Sequence, residues 1–264
     1  MLCALAGAAV AASVVGACGD STPAAPALAL PPTHGELDYQ LGGDYPPPPG
    51  VTVVVRDRGG APANAYSICY VNGFQTQPED TAWWLTEHPD LVLRTRSGEP
   101  VIDPEWPGEM LLDITTAAKR VEVAAIVGAW IDGCAADGFD AIEIDNLDSY
   151  GRSGGRIDQA AAVSAIGLLA DRAHAAGLPV GQKNASELLD RRADTGLDFA
   201  VVEECTQYDE CDDYVATYGD RVYVVEYSRD HFEAACAAYP RLAIVQRDLG
   251  LEPAGAAGYV RRAC

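Results

Sequence analysis

The chain has 264 residues, 48% of them hydrophobic, and a formal net charge of −21 at pH 7. Such acidity argues against a nucleic-acid binder, which needs basic patches, and fits either solubility or a cationic ligand. No repeat at a solenoid period is visible, so the length implies one α/β domain behind an N-terminal leader.

Residues 1–17 form a small-residue apolar segment, too short to span a bilayer and leave a domain behind, and read as a signal peptide. Val15-Gly-Ala-Cys18 sets a cysteine directly after a small-residue processing site, as in bacterial lipoproteins. Cys18 is therefore the candidate lipidated residue and the one expected membrane attachment, although no Lys or Arg precedes Arg56 to form a positive n-region. The expectation is an exported protein, either a bacterial cell-surface lipoprotein or a secreted one. Residues 18–36, rich in Ala and Pro, read as a tether, and residues 37–264 as a single domain.

From Tyr39 the apolar runs are short. Tyr39–Leu41 enters a Gly/Pro turn; Val51–Val55 and Tyr66–Val71 read as strands, the second closing on Asn72. Glu79–Glu87 reads as a helix, Leu91–Leu93 as a weaker strand, and Met110–Ile114 as a strand with Asp113 near its end. Thr116–Ala136 has helical spacing stopped by Asp137-Gly138. Ala141–Ile144 is a strand that runs into Asp145, Asn146 and Asp148, with Glu143 on the same face as Asp145 if the strand alternates. Asp158–Ala176 is a helix stopped by Gly177, and Leu178–Asn184 a strand ending on Lys183 and Asn184. Lys183 is one of two lysines beside sixteen arginines, which suggests a need for a compact ammonium. Ala185–Arg192 is a short helix, and Phe199–Glu204, Arg221–Tyr227 and Leu242–Asp248 are further strands.

This alternation predicts a parallel sheet covered by helices. Asn72, Asp113, Asp145, Lys183, Glu203 and Glu226 each end a different strand. An open sheet gathers ligand groups at one switch point, whereas a barrel gathers them around its C-terminal rim. The expected fold is therefore an α/β (β/α)8 TIM barrel. Its N-terminal βα units should be irregular because the segment after Tyr39 is short and proline-rich. The strand candidates outnumber those a barrel needs, so at least one is not a barrel strand.

Several chemistries can be set aside. Gly151-x-Ser153-x-Gly155 lies downstream of its strand, where a nucleophile elbow would sit directly on one. Asp145, Asn146 and Asp148 lack calcium-loop spacing, no GxGxxG or Walker pattern occurs, and no histidine ends a strand. No metal or cofactor is expected. Eight cysteines less Cys3 and Cys18 leave six, an even number for an exported protein, and several pairings are open. The pairing carried forward is Cys69–Cys134, Cys205–Cys211 and Cys236–Cys264.

Carboxylates at several strand ends, with aromatic and amide side chains nearby, fit glycoside hydrolysis, which needs one acid and one carboxylate. Asp145 and Glu203 are the candidate catalytic pair. Glu203 and Glu204 are adjacent, so within a strand only one of them can face the site.

The motifs Val71-Asn-Gly-Phe-Gln, Met110-Leu-Leu-Asp-Ile, Gly138–Tyr150, Gly181-Gln-Lys-Asn, Val202–Cys211 and Val225-Glu-Tyr, in this order, resemble the TIM-barrel domain of glycoside hydrolase family 114. Characterised members of that family are endo-α-1,4-polygalactosaminidases. The resemblance implies cleavage of internal α-1,4 linkages in a cationic, galactosamine-rich polysaccharide, with Asp145 and Glu203 catalytic; the protein is expected to be a monomer. It places Asp113, Asn146, Asp148, Lys183, Asn184, Tyr208 and Glu226 along the cleft; Tyr70, Asn72, Glu143 and Glu204 complete the substrate-binding candidates. The alternatives are a barrel hydrolase of another glycan and a non-catalytic glycan-binding lipoprotein.

Overall fold

Eight parallel strands follow one another in chain order around the domain, and a ninth returns antiparallel beside the eighth in the computed structural model, which describes residues 27–264. The strands are β1 (Glu36–Gln40), β2 (Val51–Asp57), β3 (Tyr66–Asn72), β4 (Ala141–Asp145), β5 (Val180–Lys183), β6 (Phe199–Glu203), β7 (Val222–Glu226), β8 (Ala243–Arg247) and β9 (Arg261–Ala263). The helices are α1 (Thr81–Glu87), α2 (Ala117–Asp137), α3 (Ser149–Arg152), α4 (Gln159–Ala175), α5 (Arg192–Thr195), α6 (Cys211–Tyr218) and α7 (Arg229–Ala238). The sheet nearly closes into a barrel. Arg261 of β9 reaches across to β1, where Nη2 donates to the Leu37 carbonyl at 3.1 Å and Nε lies 3.1 Å from Asp38 Oδ1. The expected signal peptide and Cys18 lie outside the described residues.

Strand alternation separates two cores. Leu37, Tyr39, Val53, Val55, Ile68, Tyr70, Phe199, Val201, Tyr223 and Val225 pack inside the barrel, and Val71, Ile142, Ile144, Val202, Val222 and Val224 pack outward among the helices. Inside, Gly181 has no side chain because a Cβ there would stand 2.5 Å from the Phe199 ring. The two long helices begin and end as their sequences dictate. Thr116 and Asp158 accept from the third N–H of α2 and α4, and Gly138 (φ 93°) stops α2 in the left-handed conformation.

The N-terminal units are irregular, as expected, since no helix joins β1 to β2 or β2 to β3. Several outward residues of these first strands, Asp38 and Gln40 of β1 and Arg56 of β2, are accordingly polar. Asp38 accepts from Gln40 and Tyr45, and Arg56 donates to Gln40 and to the Tyr45 carbonyl, so loops rather than helices cover this side. The barrel is also engaged ahead of Glu36. Tyr66 Oη donates to the Ala29 carbonyl and Tyr223 Oη to that of Pro32, so part of the stretch read as tether is held against the domain.

Two expected strands are not barrel strands. Leu91–Leu93 and Met110–Ile114 belong to an excursion between β3 and α2, residues 73–116, where Val92 bridges Leu112 and Gln75 bridges Leu111, both antiparallel. Their apolar side chains pack on the outer core, which gives them strand composition without a place in the barrel.

Three disulfides join the expected cysteines. Cys69–Cys134 ties β3 to α2, Cys205–Cys211 closes the turn before α6, and Cys236–Cys264 pins the C-terminus to α7. Among the described residues no helix is long and apolar enough to cross a membrane.

Candidate active site

The C-terminal ends of the barrel strands, from Leu41 after β1 round to Leu251 after β8, open into a cleft of about 880 Å³. At the end of β4, Asp145 receives three donors: Tyr70 Oη at 2.7 Å and Lys183 Nζ at 3.3 Å on Oδ2, and the Asn146 N–H at 2.7 Å on Oδ1. Burial alone would raise this carboxyl, but Lys183, Tyr70 and the Asn146 N–H outweigh it and hold the pKa below the ordinary carboxylate value. Asp145 is therefore ionised across the neutral range.

Glu203, at the end of β6, faces it. Its Oε2 lies 3.2 Å from Lys183 Nζ and accepts from Asn184 Nδ2 at 3.2 Å, while Oε1 accepts a short hydrogen bond from Tyr227. The Glu203 N–H donates in return to Asn184 Oδ1 at 2.8 Å, so the residue just beyond β5 and the last residue of β6 fix each other. One lysine thus stands between two carboxylates. Burial works against its charge, yet Asp145, Glu203 and Glu143 raise its pKa well above the ordinary lysine value.

Beneath Lys183 lies Glu143, fully buried, 3.7 Å from Nζ and accepting from Tyr39 Oη at 2.7 Å. Burial, then Asp145 and Glu203, push this carboxyl up to about 8 against the pull of Lys183 and Tyr39. Its inward position follows from the alternation Ala141, Glu143, Asp145.

Immediately beyond the ends of β4, β5 and β6 the backbone turns left-handed at Asn146 (φ 63°), Asn184 (φ 46°), Ala185 (φ 62°) and Glu204 (φ 56°). Non-glycine residues rarely adopt this conformation, and here it bends the chain out of each strand at the cleft floor. At Glu204 it breaks the alternation, so Glu203 and Glu204 both line the cleft. The expectation that only one could face the site is corrected. Burial, Glu226 and Glu203 raise the Glu204 carboxyl.

The excursion supplies a wall that the sequence reading missed: Gln77, Asp103, Glu105, Trp106 and Glu109, with Asp57 of β2 beside it. The signal available was Asp103-Pro-Glu-Trp-Pro-Gly-Glu109, a tryptophan among carboxylates in a Pro/Gly loop. From the other side α3 contributes Arg152, which pairs with Asp103 at 2.6 Å and Asp148 at 2.7 Å and donates to Asn146 Oδ1 at 3.0 Å. Tyr227 was also missed, although it stands two residues beyond the inward Val225. Among the described residues, ten carboxylates (Asp57, Asp103, Glu105, Glu109, Asp145, Asp148, Glu187, Glu203, Glu204, Glu210) line the cleft, with only Lys183 and Arg152 as cations.

Of the expected site residues, the cleft brings together Tyr70, Asp145, Asn146, Asp148, Lys183, Asn184, Glu203, Glu204 and Tyr208. Two lie one layer back. Glu143 sits under Lys183, and Asn72 is buried, donating to Glu109 and accepting from Asn146. Two lie elsewhere. Asp113 is outside the cleft because its segment left the barrel; it pairs with Lys119 of α2 at 2.6 Å and accepts from Thr115, just ahead of that helix. Glu226 shares the outward parity of Val222 and Val224, and it accepts from the Thr206 N–H under the Cys205–Cys211 turn. Among the described residues Cys205, Cys211 and Glu226 have metal-ligand spacing, but both sulfurs are spent in the disulfide.

The family model for glycoside-hydrolase family GH114 matches residues 19–264. No curated protein matches the chain. Among solved structures, Ega3 of Aspergillus fumigatus in complex with galactosamine is similar at a TM-score of 0.71 and 21% identity, covering 89% of this chain and 96% of that one. The glycoside hydrolase domain of PelA from Pseudomonas aeruginosa is similar at 0.58 and 14%, covering 84% and 97%. The α-galactosidase TtGalA of Thermus thermophilus follows at 0.51 and 14%, covering 82% and 58%. The chain belongs to glycoside-hydrolase family GH114 and is a glycoside hydrolase with a TIM-barrel fold.

Proposed function

We propose that this family GH114 glycoside hydrolase is an exported, endo-acting enzyme that cleaves α-1,4 linkages inside a galactosamine-rich, cationic polysaccharide, with Asp145 and Glu203 as its carboxylate pair. The observation that carries the reading is the single Lys183 ammonium set between those two carboxylates at the floor of the acidic cleft. A polymer of galactosamine carries an ammonium on each deacetylated sugar, and carboxylates bind ammonium through charge-assisted hydrogen bonds. The galactosamine in the complex of the similar Ega3 supports an amino sugar. Formed disulfides fit an oxidising compartment, and a lipid on Cys18 would hold the enzyme at the cell surface.

The chemistry divides between the pair. Asp145, kept ionised, attacks the anomeric carbon while Glu203 gives its proton to the departing glycosidic oxygen. Glu203 then takes a proton from water, whose oxygen displaces Asp145 and releases the sugar. Lys183 neutralises charge as each carboxylate changes state, and Tyr70 and Tyr227 hold the two carboxylates in place. Both carboxylates contact the same ammonium, at 3.3 and 3.2 Å, an arrangement compatible with the double displacement written here.

The reading is tested by incubating the enzyme with partly deacetylated polygalactosamine and measuring products by mass. A ladder of oligosaccharides of mixed length is expected. Intact polymer, beside release from a neutral glycan, would contradict it.

A further inference from the structure

The cleft carboxylates differ in what already neutralises them. Asp145 and Glu203 share Lys183, and Asp103 and Asp148 share Arg152. Asp103 also receives Gln75 Nε2 at 2.7 Å and the N–H groups of Glu105 and Trp106, which with Arg152 lower its pKa against the effect of burial. Glu109 is partly buried in the same wall, yet among the described residues it forms no ion pair, and its one side-chain donor there is the neutral Asn72 Nδ2 at 3.1 Å. Burial, with Asp145 and Asp103 behind it, pushes this carboxyl up to about 7 against Asn72 and the more distant Arg152. A carboxylate so placed is a demand for a cation that the protein does not itself supply.

Its surroundings describe that cation. The Glu109 N–H closes a turn onto the Trp106 carbonyl at 2.8 Å, so one short loop carries both the carboxylate and an exposed indole at the cleft lip. A flat apolar sugar face covers an indole well, and an amino substituent on that sugar would bring the charge. Glu109 is also tied to the catalytic centre. Asn72 donates to it and accepts from Asn146 Nδ2, and the Asn146 N–H holds Asp145, so the wall is in register with the reacting carbons.

We propose that Glu109 is a specificity-determining residue that receives the free ammonium of one deacetylated sugar next to the scissile bond, on the Asp145 side, with Trp106 stacking on that sugar. The inference rests on the amino-sugar reading of the cleft. An N-acetylated unit at this position offers a neutral carbonyl and a methyl group, and leaves the Glu109 carboxylate desolvated with only the neutral Asn72 amide beside it. The enzyme therefore requires a deacetylated sugar at one fixed place relative to the cut, and tolerates acetylation more readily farther away.

The test compares wild type with Glu109→Gln, which keeps the size of the side chain and an acceptor for Asn72. On deacetylated polygalactosamine the variant should raise KM about tenfold, with a smaller effect on kcat. Sequencing of the products from a mixed polymer should show deacetylated sugar fixed at one position beside the wild-type cut, and relaxed there in the variant. The wild-type KM should also rise as pH falls below about 7, when Glu109 protonates, and this rise should shrink in the variant. A wild-type enzyme that leaves the polymer intact would overturn the amino-sugar reading itself. An active wild type with unchanged KM and unchanged product ends in Glu109→Gln would overturn the role of Glu109 alone.

Discussion

The Lys183 ammonium stands 3.2 Å from Glu203 Oε2, and that contact joins the end of β5 to the end of β6 at the centre of the cleft. The same ammonium reaches Asp145 at 3.3 Å, so one buried cation sets the separation and charge of the pair. Removing it leaves the ionised Asp145 with no cation to offset its charge, which raises the Asp145 carboxyl.

Lys183→Met should accordingly lower kcat by roughly a hundredfold or more, an electrostatic loss of the size seen when one preorganised charge is removed. Asp145 has a lowered pKa in the native site, so activity that needs its ionised form persists as pH falls. Without Lys183 that carboxyl rises, and the acid limb of the pH–rate profile should move to higher pH. A Lys183→Arg variant should not restore the profile, because a planar guanidinium does not fit a site built for a point charge.

Tyr227→Phe removes the donor to Glu203 Oε1 and nothing else at the cleft floor. We expect kcat to fall about tenfold with KM little changed, because one hydrogen bond to the proposed acid Glu203 is lost. Steady-state kinetics on the polymer, beside a thermal melt, measure it.

Asp113→Asn separates anchoring from catalysis. Its carboxyl is lowered because the Lys119 and Thr115 hydrogen bonds and the Lys119 charge outweigh burial. A lowered pKa gives stability that is present above the unfolded value and is lost as pH falls through the folded one. Since Lys119 is about a third exposed, the pair is worth only about 1 kcal/mol at neutral pH. The variant should melt slightly lower at pH 7, the difference should vanish in acid, and turnover should be unchanged.

The three disulfides should differ by the length of chain they close. Cys69–Cys134 spans 65 residues and Cys205–Cys211 spans 6, so chain entropy makes the former worth about 2 kcal/mol more. Replacing the long-range pair with serines should lower the melting temperature most. Replacing Cys205 and Cys211 should instead act on KM, because Glu204 and Tyr208 ride on that turn.

How much of this was legible follows from where each signal resides. Asp145, Lys183 and Glu203 could be read because each ends a short apolar run directly before a loop, and chain order alone carries a parallel barrel from β4 to β8. Alternation also tells Tyr227, which faces in with Val225, from Glu226, which faces out with Val224. A polar residue at a strand end does not by itself say whether it meets the cleft. Asp113 misled because Met110–Ile114 has strand composition, while its partners, Gln75 and Val92, are fixed by antiparallel bridges that no local period encodes. Glu109 and Trp106 lie in a loop without periodicity, and their place beside Asp145 follows from the fold of the whole excursion. Glu204 reached the cleft through a left-handed turn, a backbone choice that alternation does not anticipate.

Release of oligosaccharides from polygalactosamine by Asp145→Asn and Glu203→Gln, each beside wild type and each checked by thermal melting, tests the carboxylate pair most directly. The expected result is folded protein in both cases, with release reduced by roughly a thousandfold or more. A folded variant of either residue that releases oligosaccharides at the wild-type rate would contradict the assignment.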